Sequence, residues 1–315
     1  MITLKLIEMK KNIVFILILC GSSLFAQQEV MVSQYMFNGL FLNPAYAGSH
    51  PYFEATGLHR SQWVKLQGAP TTQVFGIDGP MFGDKMGIGA TIVNDKIGDT
   101  RQTDFNLNYS YQLQLNGSGT KLCFGAKAGL SNYTAKLSQT KVWDSSDPVF
   151  ASDQSNQMIP KFGAGIYLYS QLWYAGISVP TLYAADKKLA FNLANYNDRY
   201  FENHYFLNAG YVFTLSPNLK VKPNILCKYL PSAPFEVDLN ANFLIKEFLW
   251  VGASWRSGDA FTALFEYNII PMLRVGYSYD FTTTQLSNYS SGSHEIMLGY
   301  NFIKDIIKTK TPRYF

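Results

Sequence analysis

Beyond its first 26 residues the chain lacks any run of the roughly 18 consecutive apolar residues that a membrane-spanning helix needs, although 47% of its residues are hydrophobic and 16% aromatic. Cysteine is nearly absent. Of the three in 315 residues, Cys20 lies in the leader-like start, and Cys123 and Cys227 sit in separate expected strands, as isolated wall thiols rather than a disulfide or metal pair. Histidine is equally sparse, and His50, His59, His204 and His294 show no ligand spacing. There is no Gly-x-Ser-x-Gly elbow, phosphate loop or Cys/His pair, so the residues give no enzyme, no cofactor and no metal site. Charged residues make up only 15% of the chain, with a net charge of +4. Removing residues 1–26 takes away three lysines and one glutamate and leaves +2, too little to suggest nucleic-acid binding.

The start of the chain reads as an export leader. Lys10 and Lys11 precede the apolar run Ile13 to Leu19, and Ser23-Leu-Phe-Ala26 offers a small residue for cleavage before Gln27. Residues 1–26 are therefore expected to be a signal peptide, with Met9 the better initiator. Leu19 stands where a lipoprotein signal before Cys20 would need a small residue.

The apolar residues that remain alternate with polar ones. In His294-Glu-Ile-Met-Leu-Gly-Tyr-Asn-Phe302, Ile296, Leu298, Tyr300 and Phe302 share one strand face, and Glu295, Met297, Gly299 and Asn301 the other. The segment Asp104 to Leu115 repeats the pattern more cleanly. Extended along the chain, it predicts strands near 52–63, 71–80, 86–95, 103–115, 121–135, 159–169, 173–179, 204–215, 219–229, 235–245, 248–256, 260–267, 273–281 and 294–302. The expected fold is all-β: a transmembrane antiparallel β-barrel of about 14 strands, greasy outside and wet inside. A soluble β-sandwich is the alternative, but it does not explain so many aromatic residues near strand ends.

Connection lengths support the barrel. Tight turns are expected near Gly83-Asp84, Asn116 to Gly119, Ser170-Gln171, Ser216 to Asn218 and Lys246-Glu247. Long outward loops are expected over Lys136 to Met158, Pro180 to Asn203 and Thr282 to Ser293. Tyr183, Tyr196, Tyr200, Phe201 and Tyr205 cluster in or after the second of these, where they suit either membrane anchoring or protein docking. Even parity places both ends of the barrel on the periplasmic side, leaving a segment 27–51 before the barrel (52–302) and a tail 303–315 after it.

Within the alternation, Arg60, Glu236, Asp238, Arg256, Arg274, Asp280 and Glu295 fall on expected lumen-facing positions, where ion pairing is the usual way to satisfy buried charge. The segment before the first strand is too rich in turn residues to be a clean strand. Its Asn43-Pro-Ala-Tyr-Ala-Gly48 is expected either to plug or dock, or simply to seal the barrel floor.

Ser33-Gln-Tyr-Met-Phe-Asn38 and Asn43 to Gly48, followed by Arg60-Ser-Gln-Trp63, Gly68-Ala-Pro70, Gly163-Ala-Gly165, Tyr277-Ser-Tyr-Asp280, Ser291-Gly-Ser-His-Glu-Ile296 and Pro312-Arg-Tyr-Phe315, resemble the PorP/SprF family of type IX secretion outer-membrane proteins. The resemblance runs in order along nearly the whole exported chain. It implies an outer membrane of the Bacteroidota and work with type IX secretion components, a machinery tied to protein transport and gliding motility. It marks Gln34, Tyr35, Asn38, Asn43, Pro44, Tyr46 and Gly48 as plug or partner candidates. Two roles are implied within the family. An SprF-like member aids export or surface anchoring of a large adhesin with a type B carboxyl-terminal domain, and a PorP-like member links the secretion motor to the outer membrane through a peptidoglycan-associated periplasmic protein. The competing expectation is an outer-membrane channel for small solutes, which an open lumen would favour; outer-membrane lipid is a partner in either case.

Overall fold

The computed structural model describes residues 30–83, 85–115, 119–139, 153–185 and 202–303. The expected signal peptide, the residues beyond 303, and most of the expected loops at 136–158 and 180–203 lie outside them, as do Asp84, Asn116 to Ser118, Tyr196, Tyr200 and Phe201.

The alternation produces one antiparallel sheet that closes on itself. Its strands are β1 (Phe53–Ser61), β2 (Thr71–Met81), β3 (Met86–Ile97), β4 (Thr100–Gln114), β5 (Lys121–Ala135), β6 (Gln154–Tyr169) and β7 (Trp173–Ala184). They continue as β8 (Tyr205–Tyr211), β9 (Phe213–Ser216), β10 (Leu219–Tyr229), β11 (Glu236–Ile245), β12 (Leu249–Arg256), β13 (Ala260–Ile270), β14 (Leu273–Thr282) and β15 (Ser293–Phe302). Each strand pairs with its sequence neighbour, and β1 pairs with β15 from Phe53 opposite Phe302 to Ser61 opposite His294. Strands β8 and β9 both pair with β10 and form one stave interrupted at Val212, so the barrel has fourteen staves. Closure removes the free edges that an open sheet would expose.

The two faces separate as the period-two pattern requires. On β4, Phe105, Leu107, Tyr109, Tyr111 and Leu113 are exposed outward, while Asn106, Asn108, Ser110 and Gln112 are buried inward. On β15, Ile296, Leu298, Tyr300 and Phe302 point out, and Glu295 and Met297 are fully buried. One end of the barrel, the turn end, carries only short connections, together with the start of β1 and the finish of β15. One of these turns is made by Lys246 and Glu247, whose φ values of 48° and 64° suit a tight hairpin. The opposite, loop end carries all the long connections, along with tight ones at Gly98-Asp99 and Ser257 to Asp259.

Two strands run five residues further than alternation suggests. Strand β6 begins at Gln154 rather than 159, and β7 continues to Ala184 through Pro180. Proline lacks the ladder donor and reads as a strand end. Here a register shift between Phe162 and Ala164 absorbs it, with Gly163 against the Pro180 carbonyl. The third and fourth loops of that end therefore span 136–153 and 185–204.

Candidate functional site: a segment seated in the lumen

The barrel interior holds a length of the protein's own chain. From Val32 to His50 nearly every residue is buried, in short 3-10 turns at Tyr35–Phe37 and Pro44–Tyr46 and a single helical turn at Gly39–Leu42. Pro44 starts a turn without wasting a donor, and the Asn43 side chain caps it by accepting from Ala45 N–H at 2.9 Å. Gly48, at φ +67°, bends the chain toward β1 where a side chain would strike Gly87.

At its start the segment meets carboxylates. Ser33 and Gln34 donate their backbone N–H groups to the two oxygens of Glu295 at 2.8 and 2.7 Å. The Ser33 hydroxyl donates to Asp280 at 2.8 Å and accepts from Arg60 at 2.8 Å and Arg256 at 3.4 Å. Arg60 pairs with Asp280 at 2.7 Å and Glu295 at 3.2 Å. Arg256 bridges Asp238 at 3.3 Å, Glu236 at 3.5 Å and Asp259 at 3.0 Å, and reaches Asp280 at 3.9 Å. Six of the seven charges singled out by alternation therefore form one network at the loop end.

The seventh, Arg274, is at the turn end of β14, where it pairs with Glu54 and donates to the Phe37 carbonyl at 3.1 Å. Nearby, the Lys222 ammonium lies 4.8 Å from the ring centres of both Phe37 and Trp250, a cation held on two aromatic faces. Glu54, Lys222, Lys228 and Glu266 are buried lumen charges that the sequence reading did not single out, although each keeps its strand's inward register. Also missed was an apolar band inside. Leu58, Val74, Val93, Leu226, Leu264 and Met297 face inward and pack with Val32, Met36 and Phe37. The available signal was apolar residues on the polar face of several strands, which means that the lumen holds something other than water.

The far side of the lumen receives the segment through missing side chains. A Cβ on Gly125 would lie 2.1 Å from Ala45 N, one on Gly87 1.9 Å from the Ala47 carbonyl oxygen, and one on Gly165 2.1 Å from Asn43 Oδ1. The backbone thus touches the wall. Asn43 also donates to the carbonyls of Ile166 at 3.0 Å and Ile177 at 3.4 Å. Ser178 donates to Leu42 O at 2.7 Å, Ser110 to Ala47 O at 2.6 Å and Gln112 to Gly48 O at 2.8 Å, while Gly48 N–H donates to Asp78 at 2.9 Å. Tyr46 packs edge-on to Tyr167 with ring centres 5.6 Å apart, beside buried Cys123.

The remaining candidates lie in the same segment. Tyr35 accepts from Asn240, Gln34 abuts Gly276, and the buried Asn38 links the first turn to the helical one. The amides of Asn108, Asn224 and Asn242 have no partner among the described residues, so polar surface remains inside the barrel. On the outer wall, over the glycine seat, Ile88, Ala90, Leu107, Ala126 and Phe162 line an apolar depression of about 590 Å³.

A closed barrel with a greasy outer belt, a charged interior and its own segment seated within is an outer-membrane protein. Its family follows from sequence. The profile of the type IX secretion system membrane proteins PorP/SprF matches residues 24–300, and the chain belongs to that family. Among solved structures it is similar to the Acinetobacter baumannii outer membrane protein Omp33, at 11% identity and a TM-score of 0.46, over 80% of this chain and 98% of that one. It is also similar to a Pseudomonas aeruginosa FadL homologue, at 9% identity and a TM-score of 0.43 over 83% and 93% of the two chains. The KdgM porin is a further match, at 9% identity and a TM-score of 0.36 over 79% and 99%. No curated protein matched.

Proposed function

We propose that this type IX secretion component is a noncatalytic scaffold that carries or anchors one large surface protein, rather than a path for solutes. Its orientation follows the usual rule for such barrels, with short turns in the periplasm and long loops outside. The observation that supports the reading is the filling of the lumen by residues 30–50, held from both sides by hydrogen bonds and close backbone contact. The cognate partner in this reading is an adhesin-like protein with a type B carboxyl-terminal domain. The alternative within the family is a link to the motor through a peptidoglycan-associated periplasmic protein.

A solute channel is the second reading, supported by the lumen amides of Asn108, Asn224 and Asn242, which have no partner among the described residues. Deleting the gene separates the two. On the scaffold reading one large protein disappears from the cell surface, small-solute uptake stays normal, and the purified barrel passes little current in planar bilayers. An unchanged surface proteome with loss of one solute's uptake would establish the channel instead.

A further inference from the structure

We infer that the lumen segment is threaded from the outside inward: the chain comes into the barrel at the loop-end mouth, at Val30, and leaves at the turn end into β1. The amino-terminal end of the segment is then presented toward the cell exterior and not the periplasm.

The contacts give the direction. Ser33 and Gln34 bind Glu295, the third residue of β15 from its loop end, and Ser33 binds Asp280, the third residue of β14 from the same end. Tyr35 meets Asn240 midway along β11. Phe37 then meets Arg274, the second residue of β14 from the turn end. Asp280 and Arg274 lie on one strand, six residues and about 20 Å apart. Four residues of the segment, extended by the Arg274 side chain, cover that descent. From Asn38 the chain crosses the lumen near the turn end and meets Ile166, Gly125, Gln112 and Asp78 before β1 begins at Phe53. At the other end Val30 and Met31 are only partly buried, whereas Val32 is fully buried.

Strand β15 pairs with β1 around the segment, and the Glu295 carboxylate holds its outer end at Ser33 and Gln34.

The inference uses the orientation proposed above, and the test separates the two. Single cysteines are placed at Val30, at Tyr289 in an exposed loop-end connection, and at Phe82 in an exposed turn. The background carries Cys227→Ser and keeps the buried Cys123. Intact cells are treated with a membrane-impermeant maleimide, and the labelling is repeated after the outer membrane is opened. We expect Val30→Cys to label with Tyr289→Cys in intact cells, at least tenfold faster than Phe82→Cys. Labelling of Val30→Cys only together with Phe82→Cys would overturn the threading. So would labelling of Val30→Cys only after urea unfolding. If Tyr289→Cys and Phe82→Cys exchange behaviour while Val30→Cys still follows Tyr289→Cys, the threading stands and the orientation fails. Met31→Cys repeats the test, and heat-modifiable gel migration confirms that each variant is folded.

Discussion

Strands β10 to β15 and β1 hold the lumen segment with ionised side chains, whereas β3 to β7 hold it with glycines, short hydroxyls and amides. On the first side Glu295, Asp280, Arg60 and Arg256 converge on Ser33 and Gln34. On the second, Gly87, Gly125 and Gly165 let Ala47, Ala45 and Asn43 approach the wall, and Ser110, Gln112 and Ser178 donate to segment carbonyls. Buried ions cost several kcal/mol each to desolvate, and that cost is recovered only while every partner is present. The glycine side needs no such compensation. Its requirement is shape, because a wall in van der Waals contact with a backbone leaves no volume for a methyl group. The charged half therefore fails through lost charge and the glycine half through added size.

The largest effect is expected from size. Gly125→Val puts a branched side chain where Ala45 N would lie 2.1 Å from the new Cβ, and two rigid backbones cannot both yield. The heat-modifiable band should vanish. Gly57→Val, where no atom of the described residues lies within 4 Å of the added Cβ, should assemble normally, and equal failure of the two would mean that the glycines matter for strand formation and not for seating. Next comes charge. Arg60→Ala leaves Glu295 and Asp280 without a shared cation and should destabilise the barrel by about 3–5 kcal/mol in urea titrations. Arg60→Lys should recover only part of this, because it cannot reach both carboxylates with a planar fork. On the lipid side, Leu298→Arg, at mid-strand and exposed, should cost about 2–4 kcal/mol. If a polar change at the buried Met297 cost as much by a loss of membrane affinity, the assignment of faces would be wrong.

Much of this was legible in the sequence. Period-two alternation in segments such as Asp104 to Leu115 gave the stave count, the outward faces and the inward register of Arg60, Asp280 and Glu295, because in a closed sheet one residue's step fixes the side of the wall it occupies. What alternation cannot give is which inward residues meet across the lumen. The pairing of Arg60 with Asp280 joins positions 220 residues apart, and Glu54, Lys222, Lys228 and Glu266 looked like ordinary wet-face residues. Four of the motif words that carry the family resemblance are neighbours in space. Ser33 to Asn38, Arg60 to Trp63, Tyr277 to Asp280 and Ser291 to Ile296 meet at the closing seam. There Trp63 N–H also bonds Ser293 at 3.1 Å, and Val64 exchanges backbone hydrogen bonds with Ser291 and Gly292. Pro180 departs from the expected strand bounds for a local reason: a proline lacks the ladder donor, and the bulge that absorbs it depends on Gly163 from another strand.

The mildest test asks whether the glycine side acts through one contact at a time. Asn43→Ala removes the donor to Ile166 and Ile177 and the cap on Ala45, and should cost about 1–3 kcal/mol, since the orphaned groups are buried. Gly165→Ala should cost a similar amount, because its methyl would lie 2.1 Å from Asn43 Oδ1 and displace that amide. The two changes act on the same contact, so together they should cost less than their sum. In the double variant the methyl added by Gly165→Ala occupies space that the shortened side chain of Asn43→Ala has vacated. A coupling of about 0.5 kcal/mol or more in this direction, on the scale expected for residues in contact, would establish that Gly165 exists to admit Asn43. Strict additivity would mean that the wall and the segment are independent here, and the complementarity drawn between the two halves of the lumen would hold for Gly87 and Gly125 alone.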